Sequence, residues 1–105
     1  MALENAVCVL LQPLLDTTTD GLGREQREQE LPQQRCSCRQ VSARMEATVL
    51  GRVAGTTYRL RLQTTAPVVA GWRVRVRFDG ATEWLTMTVL SARKHLHTEL
   101  LVERV

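Results

Sequence analysis

The chain has 105 residues, a length that fits one compact domain and leaves no room for a separate catalytic domain. Apolar residues make up 44% and charged residues 24%, which is typical of a folding chain and excludes a disordered one. The formal net charge of +3 is too small to indicate a dedicated nucleic-acid binder. Thirteen of the fourteen basic residues are arginine, which suits bidentate pairing with carboxylate or phosphate.

The apolar run nearest the N-terminus, residues 6–11, is far shorter than the roughly 20 residues that cross a bilayer, so we expect no membrane segment. Glu4 is the charged residue ahead of that run, where an export signal would carry lysine or arginine, so we expect no export. Three cysteines favour free thiols in a reducing compartment over a disulfide framework. The chain is therefore expected to be made in the cytoplasm.

The first third of the chain predicts one strand followed by a polar segment. The β-branched apolar run over 7–12 predicts a buried strand that ends at Pro13. Turn-forming residues over 16–23 predict a loop. The segment 24–30 has helix-forming residue types but no apolar stripe, so we predict a mobile or extended arm that ends at Pro32.

The middle of the chain predicts a second strand and a short helix. In the segment 34–41, Cys36 and Cys38 fall on one face and polar residues on the other, as in a half-buried strand. Ser42 is the expected N-cap of a helix over 43–52, whose apolar residues recur at helical spacing.

The C-terminal half predicts a run of antiparallel strands. Apolar and arginine residues alternate strictly over 58–62 and 72–78, which predicts two strands with one buried face. Asp79-Gly80 predicts a hairpin that pairs the second of these with a strand over 83–90, so that Trp72 and Trp84 both pack into the core. A polar segment over 91–98 and a short strand over 100–105 follow.

These elements predict a single mainly-β domain over 1–105. We expect a small antiparallel β-barrel or sandwich of about six strands, with one short helix and a long polar loop or arm.

Charge is divided unevenly along the chain. The stretch 58–78 carries five arginines and no acidic residue, whereas the stretch 16–34 carries five acidic residues and a net charge of −3. If the two arginine strands share a sheet, their side chains form one basic face. That face is either an ordinary solvated surface neutralised within the chain, or an interface for an acidic patch of another chain or for DNA phosphates. The candidate interface residues are Arg59, Arg61, Arg73, Arg75, Arg77, Asp16, Asp20, Glu25, Glu28 and Glu30.

The sequence does not favour a metal site, a cofactor or catalysis. His95 and His97 are two residues apart and could join Cys36 and Cys38 around a metal ion, but a C-x-C pair lacks the usual zinc spacing. We therefore expect solvated loop histidines, with no metal and no cofactor. Neither a nucleophile turn of the G-x-S-x-G type nor a glycine-rich phosphate loop occurs, so we expect no enzyme.

The order of elements resembles the head-tail joining family of tailed bacteriophages, over nearly the whole chain. The resemblance lies in the first strand AVCVLLQP, the loop DTTTDGLG, the polar glutamate-rich arm, the stretch VSARME at 41–46 with a small helix after it, and the later strands. Those strands include a basic one ahead of Asp79-Gly80, one containing Trp84 and the closing strand LLVERV.

This resemblance implies a structural virion protein of the phage neck, assembled in the host cytoplasm. Such a subunit joins a homo-oligomeric ring that closes the filled head below the portal and its adaptor, retains the packaged DNA and offers the surface on which the tail docks. No sequence-specific DNA binding is implied. In such a ring we expect the acidic segment 16–34 to reach either the arginine-bearing sheet or a neighbouring component.

Two other functions fit the sequence. A tail-side completion protein of the same neck would differ in position more than in chemistry. A small basic β-barrel that binds nucleic acid would use the five arginines to contact phosphates, with an affinity that falls steeply as salt rises.

Overall fold

The computed structural model describes residues 4–14, 27–41 and 57–104, which form seven strands. The predicted loop over 16–23 and the predicted helix over 43–52 lie outside these residues. No helix in the described part of the chain has the length and hydropathy needed to span a membrane. The strands are β1 (Ala6–Leu14), β2 (Arg27–Glu30), β3 (Gln34–Gln40), β4 (Thr57–Leu62), β5 (Arg73–Phe78), β6 (Leu85–Lys94) and β7 (Thr98–Arg104).

Six of the strands form a closed barrel. The strand order is β2-β1-β3-β4-β7-β6-β5, every pairing is antiparallel, and an additional pairing of β1 with β5 closes the circle. Strand β2 lies outside the circle and pairs with the C-terminal end of β1, residues 11–14. The prediction of a small mainly-β antiparallel fold is confirmed, and of its two forms the barrel is the one that occurs.

Alternate residues of the strands fill the barrel. Leu60, Val74, Val76, Leu100 and Val102 are each completely buried, and each alternates along its strand with a more exposed residue. A buried aliphatic side chain of this size stabilises the fold by about 1.5–3 kcal/mol. The alternation that predicted β4 and β5 therefore arises from one core-facing side of each strand.

Proline 13 lies inside β1 and does not end it. Leu31 N–H donates to Leu10 C=O at 2.9 Å, so the even-numbered backbone groups of this part of β1 face β2. The nitrogen of Pro13 faces the other side, where β5 ends its pairing with β1 at Leu11. Since no ladder bond is lost there, the strand continues to Leu14 and pairs with β2.

The polar segment 27–30, predicted as part of an arm, is an edge strand. It forms β2, while residues 24–26 lie outside the described ranges. The register of the partner strand along β1 changes by one residue between β2 and β3, at residues 31–33. Strands β2 and β3 thus follow β1 as one antiparallel partner that is interrupted by a bulge.

Strands β5 and β6 pair as predicted from Asp79-Gly80, but the connection and the second strand differ in length. Gly80 has a φ of +84°, and Ala81 N–H donates to Phe78 C=O at 3.0 Å, so the turn is where the sequence placed it. Strand β6 begins at Leu85 and runs on to Lys94, past a bulge between Val89 and Ser91. The sequence did not predict the polar end of β6, because Ser91 and Arg93 face outward there and the inward residue between them, Ala92, is small.

The two tryptophans lie in different environments. Trp72 is 6% exposed and packs in the core, as predicted. Trp84 is 39% exposed, so the prediction of a core position is wrong for it. It belongs to the connection before β6, where its ring lies 5.3 Å from the guanidinium carbon of Arg77.

Candidate functional site

The five predicted arginines lie on two opposite sides of the barrel. Arg59 and Arg61 are on β4, and the other three are on β5. Around the closed circle, β4 and β5 are three strands apart in either direction. The expectation of one basic face is therefore wrong. Period-2 alternation indicates which side chains face outward, but it does not indicate where a strand lies around a barrel.

On the side that carries β5, two of the three arginines pair with carboxylates of the same chain. Arg73 Nε lies 2.9 Å and 3.1 Å from the two carboxylate oxygens of Glu28, and a second guanidinium nitrogen also bonds this carboxylate. Arg75 forms a hydrogen bond of 2.6 Å with Glu30. We call this side, with Glu28, Glu30, Arg73, Arg75 and Arg77, the compensated face.

These ion pairs bridge across β1, which separates β2 from β5. In the register, Leu11 of β1 lies between Arg73 and Glu30. Its side chain is outside the core cluster yet only 2% exposed. Long charged side chains that meet above an apolar residue can cover it with their aliphatic stems. The hydrogen bond from Arg73 lowers the pKa of Glu28 below its ordinary value of 4.5.

Two further contacts complete this side. Arg35 donates to both carboxylate oxygens of Asp79, at 2.6 Å and 2.8 Å, and to the backbone carbonyl of Glu4 at 3.1 Å. The hydrogen bonds from Arg35 lower the pKa of Asp79. Arg77 donates to the carbonyl of Ala81 at 3.3 Å, in addition to its contact with a tryptophan ring. Each arginine here has a partner from the same chain.

On the opposite side, two guanidinium groups share one carboxylate. Arg59 Nε and Arg61 Nε approach the two oxygens of a single carboxylate, Glu99, at 3.2 Å and 3.3 Å. Arg39 lies directly opposite Arg59 in the β3–β4 register, and Arg93 lies opposite Glu99 in the β6–β7 register. Within the described ranges, neither Arg39 nor Arg93 forms an ion pair. Arg39 and Arg93 belong to β3 and β6, which are themselves three strands apart around the circle, so they lie on different flanks of Arg59 and Arg61. We call the side with Arg59, Arg61 and Glu99 the shared-carboxylate face.

Sequence reasoning missed Arg39 and Arg93 as candidates. Both lie outside the stretch 58–78, which contains all the candidate arginines. The outward position of Arg39 on a half-buried strand was already visible in the sequence, whereas Arg93 was hidden in a segment that was not predicted as a strand.

The predicted acidic residues are only partly placed. Glu28 and Glu30 reach the arginine-bearing β5 within the same chain, which is one of the two contacts expected of the acidic segment. Asp16, Asp20 and Glu25 lie outside the described residues.

The three cysteines lie in the barrel interior, away from the histidines. Cys8, Cys36 and Cys38 are each at most 1% exposed and belong to the core cluster. Burial raises the pKa of Cys38 to about 12. A hydrogen bond between the thiols of Cys8 and Cys36, together with burial, raises the pKa of Cys8.

His95 and His97 occupy the exposed turn between β6 and β7, so the structure does not bring them to the thiols. In residues 4–14, 27–41 and 57–104, no three histidine, cysteine or acidic side chains are grouped closely enough to hold a metal ion.

An open groove of about 680 Å³ is lined by uncharged residues. Gln12, the link 31–34 and the segment 63–67 form its walls, so amides, hydroxyls and apolar side chains surround it. This lining can donate and accept hydrogen bonds. It contains no titratable side chain for proton transfer.

The fold and the two faces define a class: a small closed β-barrel whose opposite sides differ in how arginine is paired, with one carboxylate each for Arg73 and Arg75 and a single shared carboxylate for Arg59 and Arg61. Comparison with models of protein families, with curated proteins and with solved structures gives no match to this chain.

Proposed function

We propose that this chain is a head-closure subunit of a tailed-phage neck. One copy would join a homo-oligomeric ring between the portal-adaptor complex and the tail, retain the packaged DNA and present the tail attachment surface. The chain would act by fitting companion subunits, without a catalytic step, a metal or a cofactor.

The observation that carries this proposal is the closed antiparallel barrel with two unlike sides. The resemblance in the order of elements implies a small β-barrel, and β1 and β3 to β7 form one. A subunit of a ring around DNA has one side towards the nucleic acid and other sides towards protein. The barrel has one side where Arg73 and Arg75 each pair with a carboxylate of their own, and another where Arg59 and Arg61 share Glu99.

Particle composition tests the proposal. The gene would be deleted from the genome that carries it, and the particles made by the host would be separated into heads and tails. We expect DNA-filled heads without tails, whose DNA becomes accessible to nuclease, together with free tails. Supplying the chain from a plasmid should restore joined particles.

Mass spectrometry of the two fractions separates the capsid-side from the tail-side position. For head closure, the chain should be found on isolated heads that have completed packaging. If it is instead found on free tails made in the absence of heads, the tail-side completion protein is the correct assignment. Joined, infectious particles without the chain would contradict both.

A further inference from the structure

Strand β2 has a free edge. Leu31 N–H donates to Leu10 C=O at 2.9 Å, so the odd-numbered residues of this segment direct their backbone groups towards β1. The backbone groups of Glu28 and Glu30 therefore face away from β1, and among the described strands β2 has no neighbour on that side. Unpaired backbone donors and acceptors in a row are a template for the addition of another strand.

The open groove lies in line with this edge. Strand β2 takes the place of β3 along β1, so its free edge is on the side on which β3 pairs with β4. Strand β4 ends at Leu62, and the groove lies between the segment 63–67 that follows it and the link 31–34 that follows β2. A strand added to β2 would therefore run into a groove of about 680 Å³, a volume within the range of about 300–1,000 Å³ that is usual for binding sites.

Exposed apolar side chains lie at the same end of the barrel. Strands β1, β4 and β6 run in the same direction, because each is separated from the next by one antiparallel neighbour, so their C-terminal ends are at one end. Of the four large apolar residues that are exposed in the described ranges, Leu14, Val69 and Leu96 lie at this end. Trp84 precedes β6 and lies at the other end. The end with the groove and β2 thus offers apolar side chains to a protein partner.

The charges of β2 disfavour a second copy of the same edge as the occupant. In an antiparallel pair, residues whose backbone groups face the partner strand lie directly opposite each other. Pairing β2 with its copy would therefore set Glu28 or Glu30 of one chain against Glu28 or Glu30 of the other. Like charges in that position are destabilising. Arg27 cannot relieve this, because its backbone groups face β1.

An exposed carboxylate selects the chemistry of the occupant. The side chain of Glu28 is 17% exposed and is held by Arg73, whereas that of Glu30 is 61% exposed and accepts a hydrogen bond of 2.6 Å from Arg75. A carboxylate can accept several hydrogen bonds, so a lysine or arginine of an added strand opposite Glu30 would form a cross-strand ion pair. The lining of the groove, by contrast, is uncharged. A segment that alternates basic and uncharged residues fits both surfaces.

We propose that the free edge of β2 binds an extended, basic segment of another protein as an additional strand. The segment would pair with the backbone groups of Glu28 and Glu30, place its uncharged side chains in the groove and set lysine or arginine opposite Glu30. Backbone pairing supplies affinity in this mode of recognition, and the alternating side chains supply specificity. The binding belongs to the single barrel, so it does not depend on the proposed function.

Titration with two synthetic peptides tests the proposal. The fluorescein-labelled peptide TVKVKVT alternates valine with lysine, and TVEVEVT is its acidic counterpart. Each would be titrated with the full chain at about 50 mM NaCl, where exposed charges are weakly screened, and anisotropy recorded. We expect the basic peptide to bind about tenfold more tightly than the acidic one. In the unmodified chain, hydrogen exchange of the Glu28 and Glu30 amides should slow when TVKVKVT is added, because both amides gain a partner.

Two variants of one residue separate backbone pairing from charge. Glu30→Pro removes an outward N–H without removing a bond to β1, whereas Glu30→Gln removes the carboxylate and keeps the N–H. Glu30→Gln should weaken the binding of TVKVKVT about threefold, and Glu30→Pro should weaken it about tenfold further, since a carbonyl of the peptide is left unpaired. Circular dichroism would verify that both variants fold.

Several results would overturn the proposal. Equal effects of Glu30→Pro and Glu30→Gln would contradict strand addition, as would unchanged amide exchange or the absence of binding of either peptide. Equal affinities for the two peptides would contradict the basic character of the partner. Dimerisation of the chain alone that Glu30→Pro abolishes would assign the edge to a second copy instead. None of these outcomes alters the particle experiment, so the two proposals can fail separately.

Discussion

The buried thiols show how the environment of one residue sets its chemistry. Cys38 points into a core of aliphatic side chains, and desolvation of the thiolate raises its pKa from 9.0 to about 12. The thiol therefore stays protonated in the folded barrel at a pH at which the unfolded chain ionises. Folding stability is then linked to pH in the alkaline range.

We predict that this linkage appears as a loss of stability between pH 9 and pH 12. Below pH 9 both states hold the proton, so Cys38 adds no pH dependence. Above it the unfolded state ionises first, and the free energy of unfolding should fall by about 1.4 kcal/mol per pH unit for this thiol. Urea unfolding from about pH 8 to about pH 11 would measure the slope. Cys38→Ala should be less steep by that amount, and an unchanged slope would contradict the pKa shift.

At the scale of single residues, the sequence predicted burial better for residues inside strands than for residues in the connections between strands. Cys36 and Cys38 are buried as predicted, because an inward position on a strand leaves little choice of environment. Trp84 follows a turn, and its ring lies against an arginine at the surface. The alternation of residues has no meaning in such a connection, so the sequence could not place that ring.

At the scale of elements, the attachment of β2 depends on charges that cross β1. Strand β2 has four residues and pairs with β1 alone among the described strands. Its alternate residues Glu28 and Glu30 meet Arg73 and Arg75 of β5. The sequence contains both halves of this contact, because Glu28 and Glu30 on one strand and Arg73 and Arg75 on another each place charges at successive outward positions. The pairing was not predictable, because it depends on a register that β1 sets for both neighbours.

We predict that reversing these arginines destabilises the monomer. Arg73→Glu/Arg75→Glu would place four carboxylates above Leu11, so the loss of two ion pairs and the new repulsion should cost about 1–3 kcal/mol. Combining it with Glu28→Arg/Glu30→Arg restores opposite charges and should recover most of the loss. Thermal unfolding of the three proteins would measure this. If the fourfold variant is no more stable than the double variant, the bridges do not hold β2.

At the scale of the whole molecule, closure determined which surfaces exist. The sequence predicted about six antiparallel strands correctly, but a barrel and a sandwich have the same alternation. The pairing of β1 with β5 distinguishes them, and it connects residues more than sixty positions apart. The same closure puts β4 and β5 on opposite sides. Which residues share a face therefore depends on the complete circle of strands.

Because Arg39 faces another arginine and Arg75 faces a carboxylate, the same kind of substitution should have opposite effects at the two positions. Arg39→Gln removes a charge that opposes Arg59, so it should raise the free energy of unfolding by about 0.5 kcal/mol at about 20 mM NaCl. Arg75→Gln removes the partner of Glu30 and should lower it by a similar amount. At about 500 mM NaCl both differences should shrink, since exposed charges are screened. Urea unfolding at the two salt concentrations would measure them. Equal signs for the two variants would mean that the juxtaposition of Arg39 and Arg59 costs the fold nothing.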